Sequence, residues 1–261
     1  MSLGPAPTIL VTGAATGIGA ACAALFTERG ARVILADLAD SVVDRTAASL
    51  QASYLTFDVS DESAVRAAVA ELEAAGDVPN GVLHAAGRTH RMVGPEAIEA
   101  AEFRAIVDVD LLGTFLVNKH LGTAMVRHGG GSIVNIASMA YTAYVRLHAY
   151  GPAKAGVVAL TGQLAREWGR AGVRVNAIAP GYTMTEALQR MIDSGQRDPK
   201  WIVRLTALGR MTEPREIATA AWFLLGSDSS AITGHTLHVD AGQEVAGHWA
   251  LSVPEAELDP A

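Results

Sequence analysis

The sequence has one cysteine, few aromatic residues and no long apolar run. A single cysteine, Cys22, excludes a disulfide within the chain and suits a reducing compartment such as the cytoplasm. No stretch reaches the roughly 18 consecutive apolar residues that a membrane-spanning helix needs. The first residues contain no basic segment, so we expect neither a signal peptide nor a membrane partner.

Positive charge is also scarce. The formal net charge is −7 and no basic run stands out, whereas nucleic-acid binding needs clustered Lys and Arg. We therefore expect no nucleic-acid partner. The eight histidines are scattered and have no cysteine nearby, so the sequence predicts no metal site.

Short apolar runs alternate with amphipathic segments along the chain. The predicted strands are 8–12, 32–37, 54–58, 81–85, 132–136, 174–178 and 236–239, and one long helix is predicted from about 99 to about 128. Nearly continuous apolar strands separated by helices are typical of a parallel sheet covered on both faces. We predict an α/β fold, a single Rossmann-like doubly wound domain of about seven strands. This domain spans residues 1–245 with a substrate loop near 184–208, and a tail follows at 246–261.

The stretch "TGAATGIG" follows the first strand and opens the first predicted helix. Gly13, Gly17 and Gly19 permit a tight turn and a close approach of the backbone to a pyrophosphate. The helix start supplies free N–H groups and a partial positive charge. Glycines also serve plain turns, but the strand–loop–helix context favours a dinucleotide site.

Asp37 ends the second strand about 20 residues beyond the loop. A carboxylate there can accept hydrogen bonds from the ribose hydroxyls of NAD and repels the 2′-phosphate of NADP. Leu38 stands where an NADP site could carry arginine, so NAD is the expected cofactor. Asp58 could meet the adenine amino group, or it could serve the start of a helix.

The stretch "HAYGPAKAG" places Tyr150 and Lys154 four positions apart, on one helical face, with Pro152 between them. Proline is costly inside a helix but costs little in the first turn, whose N–H groups have no intrahelical partner. The helix is therefore predicted to begin near Ala149. Taken alone, the two side chains could equally be an ordinary surface pair.

In their order along the chain, these motifs resemble those of the short-chain dehydrogenase/reductase family. "TGAATGIG" resembles TGxxxGxG, "AAG" at 85–87 lies where the family has NAG, "IVNIAS" leads to Ser138, and "YGPAK" resembles YxxxK. The likeness extends from Thr8 to Gly242 and includes "VRVNAIAPGYTMT" and "ITGHTLHVDAG". It implies a nicotinamide-dependent enzyme that interconverts a secondary alcohol and its ketone, commonly as a homotetramer.

The resemblance also implies roles for three residues. Tyr150 would be the general acid/base, Lys154 would bind the nicotinamide ribose and favour the phenolate, and Ser138 would bond the substrate oxygen. A free tyrosine, with a pKa near 10, is a poor base at neutrality, and a neighbouring lysine cation favours its charged form. In oxidation, Tyr150 would take the hydroxyl proton while the hydride leaves for the nicotinamide.

Two positions depart from the family pattern. Asp110, in "VDLLGTF", stands where the family has an asparagine that helps to hold a water on a proton path to the lysine. A carboxylate near Lys154 could pair with it or accept protons, although the aspartate could also simply face water. We expect Asp110 to be the fourth catalytic residue. "HAAG" replaces the family's NNAG, which we interpret as a structural variation.

The full expectation for the site combines the motifs with the resemblance. The expected cofactor-binding residues are Gly13, Thr16, Gly17, Ile18, Gly19, Asp37, Leu38, Asp58, Val59, Ala85, Ala86, Gly87, Tyr150, Lys154, Pro180, Gly181, Thr183 and Thr185. Thr185 could bond the carboxamide, cap a helix, or do both. The expected substrate-binding residues are His90, Met139, Tyr144, His148 and Tyr182.

Three functions remain open at this stage. The first is an NAD-dependent dehydrogenase for a polyol, sugar or similar hydroxylated small molecule, since NAD favours oxidation and the predicted lining contains polar groups. The second is a 3-oxoacyl thioester reductase, whose acidic carrier-protein partner would need a basic patch that is not evident. The third is a non-catalytic NAD-binding sensor, which only Asp110 favours.

Overall fold

The computed structural model describes residues 6–143 and 145–249, and Tyr144 and most of the expected tail lie outside them. In the described residues, seven parallel strands form one sheet in the order β3-β2-β1-β4-β5-β6-β7. The strands are β1 (Thr8–Thr12), β2 (Arg32–Asp37), β3 (Ser53–Thr56), β4 (Gly81–His84), β5 (Gly131–Ile136), β6 (Val173–Pro180) and β7 (Thr236–Val239). The predicted α/β fold and its seven strands are confirmed.

Helices cover both faces of this sheet. They are α1 (Gly17–Glu28), α2 (Val43–Leu50), α3 (Glu62–Ala75), α4 (Ala100–Val107), α5 (Gly113–Arg127), α6 (Tyr150–Trp168), α7 (Glu186–Asp193), α8 (Pro199–Arg204), α9 (Pro214–Leu225) and α10 (Gln243–Trp249). Helix α1 packs against α2 and α9, whereas α5 packs against α3 and α6. Because side chains alternate along a strand, Ile9 and Val11 join one core and Leu10 joins the other.

The strand order fixes the position of the site. The chain builds outward from β1 through β2 to β3, then returns to place β4 on the other side of β1. In doubly wound sheets, ligands bind in the crevice at the carboxyl ends of the strands where this reversal occurs. The loops that follow β1 and β4 begin at Gly13 and Ala85, and both stretches were expected to bind the cofactor.

The long helix predicted from about 99 to about 128 is interrupted. A π-helical turn, Asp108–Leu112, joins α4 to α5. Such a turn accommodates an extra residue and is frequent at functional sites. Here it turns Asp110 fully into the interior, and the hydroxyl of Thr114 donates a 2.6 Å hydrogen bond to the Asp110 carbonyl.

The third predicted strand is also shorter than expected and ends at Thr56 rather than Asp58. It lies at the edge of the sheet and pairs only with β2 among the described strands, and the pairing stops opposite Asp37. Asp58 instead accepts a 2.8 Å hydrogen bond from the backbone N–H of Ser60 and starts the turn into α3. Within the described part of the chain, no helix has both the length and the apolarity to cross a membrane.

Candidate active site

A cleft of about 610 Å³ lies at the carboxyl ends of β1, β2 and β4. Most of the expected cofactor-binding residues line it. They are Gly13, Thr16, Gly17, Ile18, Gly19, Asp37, Leu38, Asp58, Val59, Ala85, Ala86, Gly87, Tyr150, Lys154 and Thr185. Pro180, Gly181 and Thr183 lie outside this lining.

The glycine loop fits a pyrophosphate. Gly13 and Gly17 have φ values of +63° and +60°, in the left-handed region that favours glycine. A Cβ on Gly13 would lie 2.6 Å from the backbone nitrogen of Ala86, so this position admits no side chain. Helix α1 begins at Gly17, and the side chain of Thr16 makes no capping bond, which leaves the first N–H groups for an anion.

Asp37 is held in place at the adenosine end of the cleft. Its Oδ2 accepts a 2.9 Å hydrogen bond from Ala15 N–H, and its Oδ1 accepts a 2.8 Å bond from Leu38 N–H. Each carboxylate oxygen has a further lone pair, so Asp37 can still accept bonds from ribose hydroxyls. The residues at both ends of the loop therefore fit a dinucleotide.

Tyr150 and Lys154 lie at the opposite end of the cleft. Helix α6 begins at Tyr150, with Pro152 in its first turn, as the sequence predicted. The Lys154 ammonium lies 5.4 Å from the centroid of the Tyr150 ring and donates a 2.9 Å hydrogen bond to the carbonyl of Ile136. The hydrogen bond to Ile136, the last residue of β5, thus holds the lysine ammonium close to the Tyr150 ring.

Asp110 forms a buried ion pair with this lysine. Its Oδ1 lies 3.0 Å from Lys154 Nζ, and its Oδ2 accepts a 3.1 Å hydrogen bond from Arg88 N–H. Asp110 is 0% exposed and therefore does not face water. Burial alone would lower the pKa of Lys154, but the charges of Tyr150 and Asp110 together raise it by more than burial lowers it. The net shift of the pKa is upward, so the lysine stays cationic.

Gly87 makes this pairing possible. A Cβ on Gly87 would lie 2.8 Å from Asp110 Oδ1 and 3.3 Å from Lys154 Nζ. The backbone of the "AAG" stretch therefore passes directly beside the ion pair. The glycine leaves room for this ion pair and also lines the cleft.

A second buried polar group, His84, lies at the end of β4. Its Nδ1 is 2.8 Å from Thr12 Oγ1, which itself accepts a 3.3 Å bond from Ala86 N–H. The Thr12 hydroxyl and His84 Nδ1 share this first bond, and the tautomer of His84 sets which of them donates. Burial, aided by the charge of Lys154, lowers the pKa of His84 to about 3, so the ring is uncharged.

Ser138 stands at a second, smaller cavity of about 100 Å³. Met139, Pro180, Gly181 and Tyr182 line the same cavity, which brings expected cofactor and substrate residues together beside the serine. The Ser138 hydroxyl accepts a 3.1 Å bond from Ala140 N–H, and this caps a short 3-10 turn. A Cβ on Gly151 would lie 3.0 Å from the Ala140 carbonyl, so this turn packs against the start of α6.

Three of the expected residues have other surroundings. Both ring nitrogens of His90 bond backbone groups, with Nε2 accepting a 3.2 Å bond from Ala149 N–H, and His90 is absent from the lining of both cavities. His148 is exposed, and Tyr144 is outside the described residues. Thr183 donates to the Gly181 carbonyl, away from the cleft.

Thr185 caps a helix, which was one of its two expected roles. Its hydroxyl accepts a 3.3 Å bond from Leu188 N–H and so caps α7. It also lines the cleft, and its Cγ2 would lie 3.7 Å from a Cβ on Gly17. Helix α7 is therefore anchored where it covers the pyrophosphate loop.

Sequence reasoning missed Arg190 in the large cleft and Met92 and Gln243 in the small cavity. The amphipathic pattern of the segment from Glu186 would have predicted α7 and placed Arg190 one turn after Glu186. No sequence signal separates Gln243 from an ordinary surface glutamine. Only the return of the chain after β7 brings it near Ser138.

Comparisons with known proteins agree with this geometry. A family model described as enoyl-(acyl carrier protein) reductase matches residues 13–244. The chain is 39% identical to galactitol 2-dehydrogenase (L-tagatose-forming) of Cereibacter sphaeroides, over 90% of this chain and 94% of that protein. The chain belongs to the short-chain dehydrogenase/reductase family.

Two further relatives extend the comparison. NAD-dependent glycerol dehydrogenase of Listeria innocua serovar 6a is 35% identical over 90% of this chain and 93% of that protein. A crystal structure described as ribose-5-phosphate isomerase from Brucella melitensis 16M has a TM-score of 0.91 and 41% identity, and the match covers 95% of this chain and 96% of that one. Membership of this family makes the chain an oxidoreductase with a nicotinamide-type site.

Proposed function

We propose that this protein is an NAD-dependent dehydrogenase that interconverts a secondary alcohol of a polyol, sugar or similar hydroxylated molecule and its ketone. One observation carries the proposal. The Tyr150–Lys154–Asp110 group occupies one end of a dinucleotide-sized cleft, and Asp37 occupies the other. A dinucleotide whose adenosine lies at Asp37 would therefore have its nicotinamide beside the acid–base group.

The chain's own residues divide the chemistry among them. In oxidation, the Tyr150 oxygen accepts the proton of the substrate hydroxyl, and Ser138 donates a hydrogen bond to the same substrate oxygen. The Lys154 cation favours the charged form of the tyrosine, and the ion pair with Asp110 stabilises the lysine cation. The nicotinamide, when bound, supplies the hydride acceptor. In the reduction, Tyr150 returns the proton to the carbonyl oxygen.

The preference for NAD rests on Asp37 and on one relative. The Asp37 carboxylate accepts hydrogen bonds from the ribose hydroxyls of NAD but repels the 2′-phosphate of NADP. The Listeria glycerol dehydrogenase is named as NAD-dependent. We expect a kcat/KM at least tenfold higher with NAD than with NADP, since one unfavourable charge contact costs about 1.4 kcal/mol or more.

The polyol class rests on the named relatives and on the small cavity. Galactitol and glycerol, the substrates named for two relatives, are both polyhydroxylated. A cavity of about 100 Å³ beside Ser138 suits a small or slender substrate. An isomerase, as the Brucella structure is described, needs no hydride acceptor, so the loop and Asp37 favour a redox function here.

A reductase of 3-oxoacyl thioesters is the second candidate, because the matching family model is described as a carrier-protein reductase. Its carrier partner is acidic, whereas this chain has a net charge of −7 and no basic run. The intact Ser138, Tyr150 and Lys154 argue against a non-catalytic NAD sensor.

We further propose a cytoplasmic homotetramer. The single cysteine suits a reducing compartment. The exposed apolar side chains of Phe103, Leu112 and Phe115 lie along the α4–α5 segment and offer a surface for another copy of the chain. Sedimentation equilibrium tests the assembly, and a monomer at micromolar concentration would contradict it.

The decisive assay measures NADH formation with a panel of galactitol, threitol, glycerol and sorbitol, each with NAD and with NADP. We expect turnover of at least one polyol, faster with NAD. Acetoacetyl-coenzyme A with NADH tests the second candidate in the reverse direction. Turnover of the thioester alone would replace the proposed function, and tight NADH binding without any turnover would support a sensor.

A further inference from the structure

The small cavity beside Ser138 has a polar side chain to which no role has been assigned. Its lining is mostly apolar, with Met92, Met139 and Leu147 among its residues, and Gln243 at the start of α10 is an exception. A polar group in an apolar cavity is costly unless it is hydrogen-bonded.

The orientation of the amide follows from its one described contact. Gln243 Oε1 accepts a 3.3 Å hydrogen bond from Tyr182 N–H. A backbone N–H can only donate, so the atom facing it is the amide oxygen. The two N–H groups of Nε2 therefore form the other end of the side chain, and among the described residues no acceptor bonds them.

The backbone on which Gln243 stands is fixed by its neighbours. Asp240 accepts hydrogen bonds from Gly242 N–H at 2.9 Å and from Glu244 N–H at 2.8 Å, which holds the first turn of α10. Leu208 N–H donates a 3.0 Å bond to the carbonyl of Ala241. These bonds fix the backbone that carries the Gln243 side chain.

A chain of side chains also connects this turn to the serine. Glu244 pairs with His238 Nδ1, and His238 Nε2 lies 2.8 Å from the hydroxyl of Tyr141. Tyr141 ends the 3-10 turn that Ser138 caps. The turn that carries Gln243 is thus linked to the turn that Ser138 caps through Glu244, His238 and Tyr141.

We infer that Gln243 donates a hydrogen bond from Nε2 to a second hydroxyl of the substrate, near the carbon that is oxidised. This inference rests on the proposed function and narrows it, because a preorganised donor favours vicinal diols and polyols over monohydric alcohols. A site built to bond a substrate hydroxyl discriminates against the analogue that lacks it, since its own polar group is then left unpaired. Gln243 is therefore a specificity-determining residue.

The test compares propylene glycol with isopropanol, which have the same carbon skeleton and differ by one hydroxyl. The wild-type protein should have a kcat/KM about tenfold or more higher for propylene glycol, mainly through a lower KM. Gln243→Leu should reduce that ratio about tenfold. The variant lacks the hydrogen bond between Tyr182 N–H and the Gln243 side chain whichever substrate is used. The ratio of the two kcat/KM values therefore isolates the contact with the second hydroxyl.

Two further variants make the outcome decisive. Val245→Ala changes an exposed residue of the same helix and should keep the wild-type ratio. Gln243→Met keeps the length of the side chain, and it should reduce the ratio as Gln243→Leu does. If both Gln243 variants lose NADH binding, the glutamine only supports the Tyr182 loop and the inference is overturned.

The inference and the proposed function can fail separately. Turnover of both alcohols with an unchanged ratio in Gln243→Leu overturns the role of Gln243 and leaves the dehydrogenase intact. Absence of turnover with every alcohol of the polyol panel overturns the proposed function, and the inference that rests on it fails as well.

Discussion

Asp110 is the residue whose chemistry departs most from the family pattern. The sequence showed a carboxylate in place of an amide, but it could not show whether that carboxylate faced water or the lysine. The answer depends on the π-helical turn, which brings Oδ1 within 3.0 Å of Lys154 Nζ. A buried pair with both members present is stable, whereas removing one partner leaves a charge without compensation.

Asp110→Asn should move the basic limb of the kcat/KM profile for alcohol oxidation toward lower pH. The charge of Asp110 helps to raise the pKa of Lys154, so without this carboxylate the lysine cation that supports Tyr150 is lost at a lower pH. The measurement is the initial rate of NADH formation from pH about 6 to about 10. Asp108→Asn, which changes an exposed carboxylate two residues earlier, is the matched control. A profile identical to the wild type would show that Asp110 does not act on the catalytic pair.

His84 makes stability depend on pH. Its folded pKa of about 3 lies below the unfolded value of about 6.5. Between these values the unfolded chain binds a proton that the folded chain does not, so stability decreases as the pH falls through this window. The loss is about 1.4 kcal/mol per pH unit, or about 2 kcal/mol by pH 5.

His84→Asn should remove this dependence. Urea unfolding at a series of pH values would then show a flatter curve between pH about 6.5 and about 4 for the variant than for the wild type. His235→Asn, at an exposed histidine, should keep the wild-type slope. Equal slopes in His84→Asn and the wild type would mean that the buried ring takes up a proton in the folded protein.

The start of α6 positions Tyr150, the proposed general acid/base. Pro152 already identified this start from the sequence, because proline is tolerated only in the first turn. Its anchor was not predictable, since His90 lies 59 residues earlier in the chain and bonds Ala149 N–H only in the folded protein. From the sequence alone, His90 is expected in the substrate site instead.

His90→Phe should destabilise the protein by roughly 1 kcal/mol, the typical cost of losing a helix-capping bond. For a chain of this size, the thermal midpoint should fall by about 2–4 °C. Because Tyr150 is the first residue of the helix, kcat should also fall, with little change in NADH affinity. His235→Phe is the control, and an unchanged midpoint in His90→Phe would show that Ala149 N–H needs no partner.

At the scale of the whole molecule, most of the fold could be predicted. The apolar strand runs and the ordered motifs indicated a doubly wound sheet, and its seven strands follow the predicted order along the chain. The glycine loop and Asp37 meet at the cleft because the carboxyl ends of β1 and β2 are adjacent. These features depend on local patterns and on general rules of sheet topology.

The details of the substrate side could not be predicted. Gln243 lies beside Ser138 only through the position of α10, next to the contact between His238 and Glu244. The π-helical turn follows from packing, as Gly113 fits against Val59, where a Cβ would lie 2.8 Å from a methyl group. Tertiary contacts of this kind leave no pattern in one sequence.

The central claim is that Tyr150 transfers the proton at the end of a nicotinamide cleft. The most direct test is a comparison of Tyr150→Phe with the wild type on the polyol that the panel identifies, with NADH binding measured in parallel by fluorescence. We predict that the variant binds NADH with wild-type affinity while kcat falls about a hundredfold to ten-thousandfold, the usual contribution of a general acid/base. Turnover by Tyr150→Phe at the wild-type rate would contradict this account.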